Sequence, residues 1–311
     1  SPDASSGYLY TSWMFYDEDA DTITNLRTGA VYSDVGTGAF TSTEGQELLP
    51  GWQVPVGFDN FLRALTDESI RGPLINVTLW TFVFAGVSVA STFFLGLFLA
   101  IVFNDMRMKG RRFYRVLMIL PYAFPSFLSA LVWAGMMNGS FGFINQVLLG
   151  GAAVPWLTDP LLAKVSVLIV NLWLGFPYMF LVCMGALQSI PDDILEAAKV
   201  DGAKPWGVFR HVKLPLLLVT VAPLLIASFA FNFNNFNLIY MLTDGGPRDT
   251  SASITVGHTD ILISMVYKVA FTGQLRDYGL ASAFTILIFI VIAVISVISF
   301  QKTKSLEELN G

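Results

Sequence analysis

Five apolar stretches dominate the chain and limit what it can fold into: Leu74–Phe103, Phe113–Met137, Leu161–Ile190, Pro215–Thr243 and Tyr278–Phe300. Each is longer than the ~20 residues that carry an α-helix across ~30 Å of hydrocarbon. In lipid the backbone has to satisfy its own hydrogen bonds, so such stretches become helices. The first holds no charged residue, and the third holds Lys164 near its end, where the side chain can snorkel to the interface. Composition agrees: 13% of the 311 residues are charged, against ~25% in a soluble domain. The expected fold class is an all-α polytopic membrane protein with five transmembrane helices over 74–311.

The polar head is different in kind. Residues 1–73 hold 11 acids and 3 bases, whereas 74–311 hold 12 acids and 15 bases. An acidic head argues against nucleic acid as a partner. Over 1–57, short apolar pieces alternate with turn formers such as Gly29, Asp34-Val35-Gly36, Glu44-Gly45 and Pro50-Gly51. That pattern predicts a small β-containing segment, too short and polar to bury a large core by itself. Residues 58–73 predict an amphipathic lead-in helix, with Phe61, Leu62, Leu65 and Ile70 at helical spacing.

Basic residues set the orientation. Eleven of them flank the spans on one side: Arg107, Lys109, Arg111, Arg112, Arg115, Lys199, Lys204, Arg210, Lys213, Lys302 and Lys304. The opposite side has Lys164, Arg248, Lys268 and Arg276. The richer side is cytoplasmic by this rule, so the C-terminus lies inside. The head and the loops 138–160 and 244–277 then face outward. An odd number of spans places an acidic, untargeted head outside, and at least one further span upstream is expected to put it there.

Little in the sequence offers covalent chemistry. The single cysteine, Cys183, sits in an apolar run as a small packing residue, and His211 and His258 lack metal-ligand spacing. No metal site, nucleophile–base set or phosphate loop of the type Gly-x-x-x-x-Gly-Lys-Ser/Thr is present. The chain is expected not to be an enzyme and to hold no cofactor.

Two polar patterns stand out instead. Asn171, Leu174, Gly175 and Tyr178 fall at i, i+3, i+4 and i+7, and Ser228, Phe231, Asn232 and Asn235 repeat that spacing on the next span. Each set shares a helix face. Buried amides are costly unless paired. These either glue helices together or line a wet cavity that hydrogen-bonds an uncharged solute, with Tyr178 and Phe231 offering flat ring faces. Tyr122, between Pro121 and Pro125, is added because a kinked span there can open a cavity. The second pattern is the basic connection 191–214. Asp192 and Asp193 are placed to cap a helix that runs to Val200, Asp201-Gly202 stops it, and a second short helix from Pro205 carries Trp206 and Phe209. Such an exposed helix–turn–helix is either an ordinary loop or a piece that docks in a partner's groove. In the outer loop, Ser253–Phe271 predicts a further amphipathic helix.

The spelling of 191–214 resembles a known family. Glu196-Ala197-Ala198, Asp201-Gly202-Ala203 and Leu214-Pro215 are similar to the loop by which permeases of ATP-binding-cassette importers couple to their ATPase. Over Pro50–Phe300 the resemblance is to the larger permease subunit of maltose/maltodextrin importers. It is carried by Leu120-Pro121-Tyr122-Ala123, Asn171–Tyr178, Ser228–Phe236, Gly245-Gly246-Pro247 and Thr259-Asp260. It implies the type I permease fold, with 1–57 as the tail of an extracytoplasmic insertion. It implies a neutral oligosaccharide as cargo, maltose, maltodextrin or a related disaccharide such as trehalose, touched at the two asparagine faces. It implies coupling through Glu196, Ala197, Ala198, Asp201, Gly202, Ala203, Trp206 and Phe209. The partners it implies are a second permease subunit, two ATPase subunits carrying ATP and magnesium, and an extracytoplasmic sugar-binding protein. The rival reading, a channel or secondary transporter for a neutral solute, wants an ion or proton site, and the spans offer no carboxylate for one.

Overall fold

The computed structural model describes residues 12–310 apart from 106, 251, 253 and 273–276. It divides into two compact units, 1–59 and 60–311.

The first unit is an antiparallel meander. Strands β1 (Met14–Asp17), β2 (Thr22–Asn25), β3 (Val31–Asp34) and β4 (Phe40–Ser42) lie in chain order. Tyr16 pairs with Ile23, Ile23 with Tyr32, and Tyr32 with Ser42. The turns are made by side chains bonding their own backbone. Asp17 Oδ1 accepts from the Asp19 and Ala20 N–H, and Asn25 Oδ1 accepts from Arg27 and Thr28. Tyr32 and Ala39 are buried, while Trp13, Phe15 and Tyr16 stay exposed.

The second unit is helical. It runs α1 (Asp59–Thr66), α2 (Glu68–Asn104), α3 (Arg111–Ile119), a 3₁₀ turn at Leu120–Ala123, α4 (Ser126–Met136), α5 (Pro160–Gln188), α6 (Asp192–Val200), α7 (Pro205–Val208), α8 (Leu214–Phe233), α9 (Phe236–Thr243), α10 (Leu262–Tyr267) and α11 (Tyr278–Asn310). Among the described residues, four helical segments are long and apolar enough to cross a membrane. They rise to five if the pair at 111–123 and 126–136 is one broken span. The α2 and α5 helices make the most extensive helix–helix contact, with Phe84, Val167, Phe180 and Cys183 buried. Between lipid-embedded helices this contact is close van der Waals packing, because lipid tails are as apolar as leucine.

Several elements depart from the sequence expectation. The lead-in segment is not one helix: it breaks at Asp67, whose carboxylate accepts the Ser69 N–H at 2.9 Å, and α2 begins ahead of Leu74. The stretch 113–137 does kink where Pro121 and Pro125 predict it, bending by 91° between Ala123 and Ser126, because the two prolines withhold two backbone donors. The stretch 215–243 also divides, and Asn235 caps α9 by accepting from the Leu238 N–H at 3.4 Å. Asn235 therefore lies beyond the end of α8, not on its face. The N-cap of α6 is Pro191, without a side-chain bond, so Asp192 and Asp193 lie in the first turn, where they favour the helix dipole. The outer-loop helix starts only at Leu262. Ser253, where it was expected to begin, and Arg276 lie outside the described residues.

Candidate functional site

All nine residues singled out as solute-facing line one cavity of about 590 Å³. Tyr122 comes from the 3₁₀ turn; Asn171, Leu174, Gly175 and Tyr178 come from α5; Ser228, Phe231, Asn232 and Asn235 come from α8 and the turn after it. The 91° break builds one wall, with Pro121, Phe124 and Ser126 beside Tyr122. Tyr122 and Tyr178 stack with centroids 6.5 Å apart and planes at 23°. Phe231 is exposed in its helix and faces the cavity space.

The amides form a chain. Asn235 Nδ2 donates to Asn171 Oδ1 at 3.3 Å, Asn171 Nδ2 donates to Asn232 Oδ1 at 2.8 Å, and Asn232 Nδ2 donates to the Ser228 carbonyl at 2.8 Å. This is interhelical glue, since it ties α5 to the end of α8. It does not exhaust the groups. A carboxamide has two N–H donors and an oxygen with two lone pairs, so each of these amides keeps hydrogen-bonding capacity for a guest. Asn171 and Asn232 are only 5% and 8% exposed, so that capacity is held in fixed directions. Gly175 is required for packing: a Cβ there would lie 2.9 Å from Thr92 Cγ2. Thr92, Ser126, Met179, Ala227 and Leu238 line the cavity too, and sequence reasoning missed them. Among the described residues, no charged side chain lines it.

The predicted coupling residues lie on α6, in the turn after it, on α7 and at the end of α7. The α6 helix buries none of its residues. Gly202, at φ +80, turns the chain into α7, and Trp206 lies against Phe209 with centroids 5.4 Å apart. Val200 is 87% and Trp206 68% exposed, although Leu195 and Phe209 anchor the element against an apolar cluster that includes Phe180 and Leu217. Glu196, Ala197, Asp201 and Ala203 are exposed. Ala198 is half-buried.

The outer loop behaves differently. Asp260 is fully buried and pairs with Lys268 at 2.9 Å. It also accepts from Ser264 Oγ at 2.8 Å and the Gly257 N–H at 2.7 Å. Burial pushes its carboxyl above the usual carboxylate range, and the Lys268 ammonium only partly offsets this. Nothing in the spacing of Asp260 and Lys268 along the chain announces this pair.

The binding-protein-dependent transport system inner membrane component family matches residues 92–303. The maltose/maltodextrin transport system permease protein MalF of Vibrio cholerae is 45% identical over 309 residues, covering 95% of this chain and 58% of that protein. The MalF of Photorhabdus laumondii is 43% identical, covering 92% of this chain and 57% of its own length. The chain thus spans a little over half the length of the curated relatives it matches. Among solved structures, a bacterial ABC transporter involved in the import of the acidic polysaccharide alginate shares the fold at a TM-score of 0.69. It has 24% identity and covers 81% of this chain and 85% of that one. The MetNI methionine ABC transporter does so at 0.56, with 17% identity and 77% and 98% coverage.

Proposed function

The chain belongs to the binding-protein-dependent transport system inner membrane component family, and from that premise we propose that it forms the spanning part of a permease subunit in an ATP-driven importer of a neutral oligosaccharide of the maltose/maltodextrin kind. The observation that carries this reading is the cavity at the break in 111–136. It is lined by amides, tyrosines and Phe231 and, among the described residues, by no charged group. A sugar presents hydroxyls to amides and C–H faces to aromatic rings. An ion would find no counter-charge there, which disfavours a channel or ion-coupled carrier.

Transport proceeds by alternating access. A loaded sugar-binding protein docks outside, two ATPase subunits holding ATP and magnesium close inside, and the face at 196–209 passes that closure to α8 and the spans. A second permease subunit completes the pathway. The protein sits in the inner membrane with the head outside and the C-terminus in the cytoplasm. The two states have to bind sugar differently for the cycle to run.

The test is sugar-stimulated ATPase activity and uptake after reconstitution with those partners. Asn232→Leu and Tyr178→Ala are expected to lower uptake at least ~10-fold while the complex still assembles. Normal uptake in both variants returns the amide chain to a purely structural role.

A further inference from the structure

A second cavity, of about 530 Å³, lies between the N-terminal part of α2, Lys164 of α5 and the loop residues Asp249, Val256, Gly257, His258 and Asp260. One face of α2 supplies Asn76, then Leu79 and Trp80, then Val83. Polarity falls along that face over ~10 Å of helix, from an amide to exposed apolar side chains. This is the gradient across a membrane interface, where tryptophan also concentrates. Trp80 is held in place: its Nε1 donates to the Thr259 carbonyl at 3.2 Å, and the Lys164 ammonium rests 4.9 Å over its ring.

The cavity has donors to spare. The side chains of Lys164 and His258 make no hydrogen bond or ion pair among the described residues. The carboxylates lining the same space are occupied. Asp260 is taken up by Lys268, Ser264 and Gly257, and Asp249 has a partner of its own. An ammonium left without an acceptor beside lipid is costly unless an anion meets it.

We infer that this cavity holds the phosphodiester headgroup of a glycerophospholipid, with Lys164 and His258 donating to its oxygens and the acyl chains lying over Leu79 and Val83. The site depends on α2 and α5 crossing the bilayer and not on which sugar is carried, so its test stands apart from the transport assay. The intact complex, purified in mild detergent, is supplied with dioleoyl phosphatidylethanolamine, with glycerophosphoethanolamine or with inorganic phosphate, and examined by native mass spectrometry. One phospholipid is expected to stay bound to the wild type. Retention falls about five-fold in Lys164→Met, from ~1 kcal/mol per basic group at the membrane surface, and returns in Lys164→Arg. A photo-crosslinking residue at Leu79 is expected to yield a phospholipid adduct in native membranes. Equal retention in Lys164→Met overturns the inference. So does occupancy by the water-soluble headgroup or by phosphate at the same level, which marks a site for free phosphates. A Leu79 crosslink to a protein subunit overturns it as well, by making this face a protein contact.

Discussion

Two connections between helices, 191–213 and 244–272, follow opposite plans. The first leaves Val200 and Trp206 in the open and buries nothing of α6. The second buries Ile261, Met265, Asp260 and Lys268. Trp80 and Thr81 of α2 tie it down, through the Thr259 carbonyl at 3.2 Å and the Leu262 N–H at 3.0 Å. The difference teaches where to look for partners. A loop that has satisfied its own polar groups behaves as part of the scaffold, whereas one that exposes a tryptophan beside an anchored phenylalanine is poised to fill a pocket elsewhere.

The largest effect should come from the buried pair. Asp260→Ala strands the Lys268 ammonium, with only the Asp244 carbonyl, among the described residues, left to it at 2.5 Å, and is expected to cost ~3–5 kcal/mol. The double variant Asp260→Ala/Lys268→Met should recover most of this, because the uncompensated charge goes with it. The midpoint of heat-induced loss of the detergent-solubilised monodisperse peak reads both. A single variant as stable as wild type would mean that 244–272 is no scaffold.

Trp206→Ala should do the reverse. Stability stays within ~0.5 kcal/mol, as for an exposed site, while association with the ATPase subunit weakens by ~2 kcal/mol, about thirty-fold, as for an anchor in a pocket. Pull-down of the ATPase against its concentration measures it. Unchanged association would reduce 191–213 to an ordinary loop.

The sequence made one of these loops legible and hid the other. The exposed one is local: its helix formers, its Gly202 stop and its Trp206 are read within one stretch of chain. The buried one depends on Asp260 and Lys268 closing through a turn, with Asp244 arriving from farther back. Nothing in the spacing announces that. The same split holds for the cavity. The asparagine faces on α5 and α8 were visible as helical spacing, because the 3.6-residue repeat projects onto sequence. The link from Asn235 to Asn171 and on to Asn232 arises only when the helices meet. Thr92 was invisible because it sits in an apolar run and reaches the site through packing against Gly175. The break in 113–137 was signalled by two prolines, yet hydropathy runs straight through it.

A glycine in each loop sharpens the contrast at smaller scale. Gly202 and Gly245 both adopt positive φ, +80 and +72. Around Gly202 nothing lies within 4 Å of an added Cβ, so Gly202→Ala should cost only the left-handed conformation, ~1 kcal/mol. At Gly245 the added Cβ would overlap the Asp260 carboxylate, so Gly245→Ala displaces the ion pair and should cost severalfold more. Equal melting shifts for the two alanine variants would erase the distinction.

The smallest effect lies at the rim of the buried loop. Arg63 and Asp277 pair at 2.5 Å, but their side chains remain 47% and 27% exposed. An exposed pair gains little Coulomb energy in high dielectric, orders two side chains and is screened by salt. Arg63→Gln is therefore expected to lower stability by less than ~1 kcal/mol, and by less still at high ionic strength. Asp277 has a second task, accepting the Leu280 N–H at 2.9 Å where α11 begins. Asp277→Ala loses pair and cap together, adding ~1 kcal/mol, whereas Asp277→Asn keeps an oxygen for the cap and should match Arg63→Gln. Melting of the three variants at low and high salt checks the order, because the cap loss is insensitive to salt and the pair loss is not. If Arg63→Gln instead matched Asp260→Ala, burial would not be what separates the strong pair from the weak one.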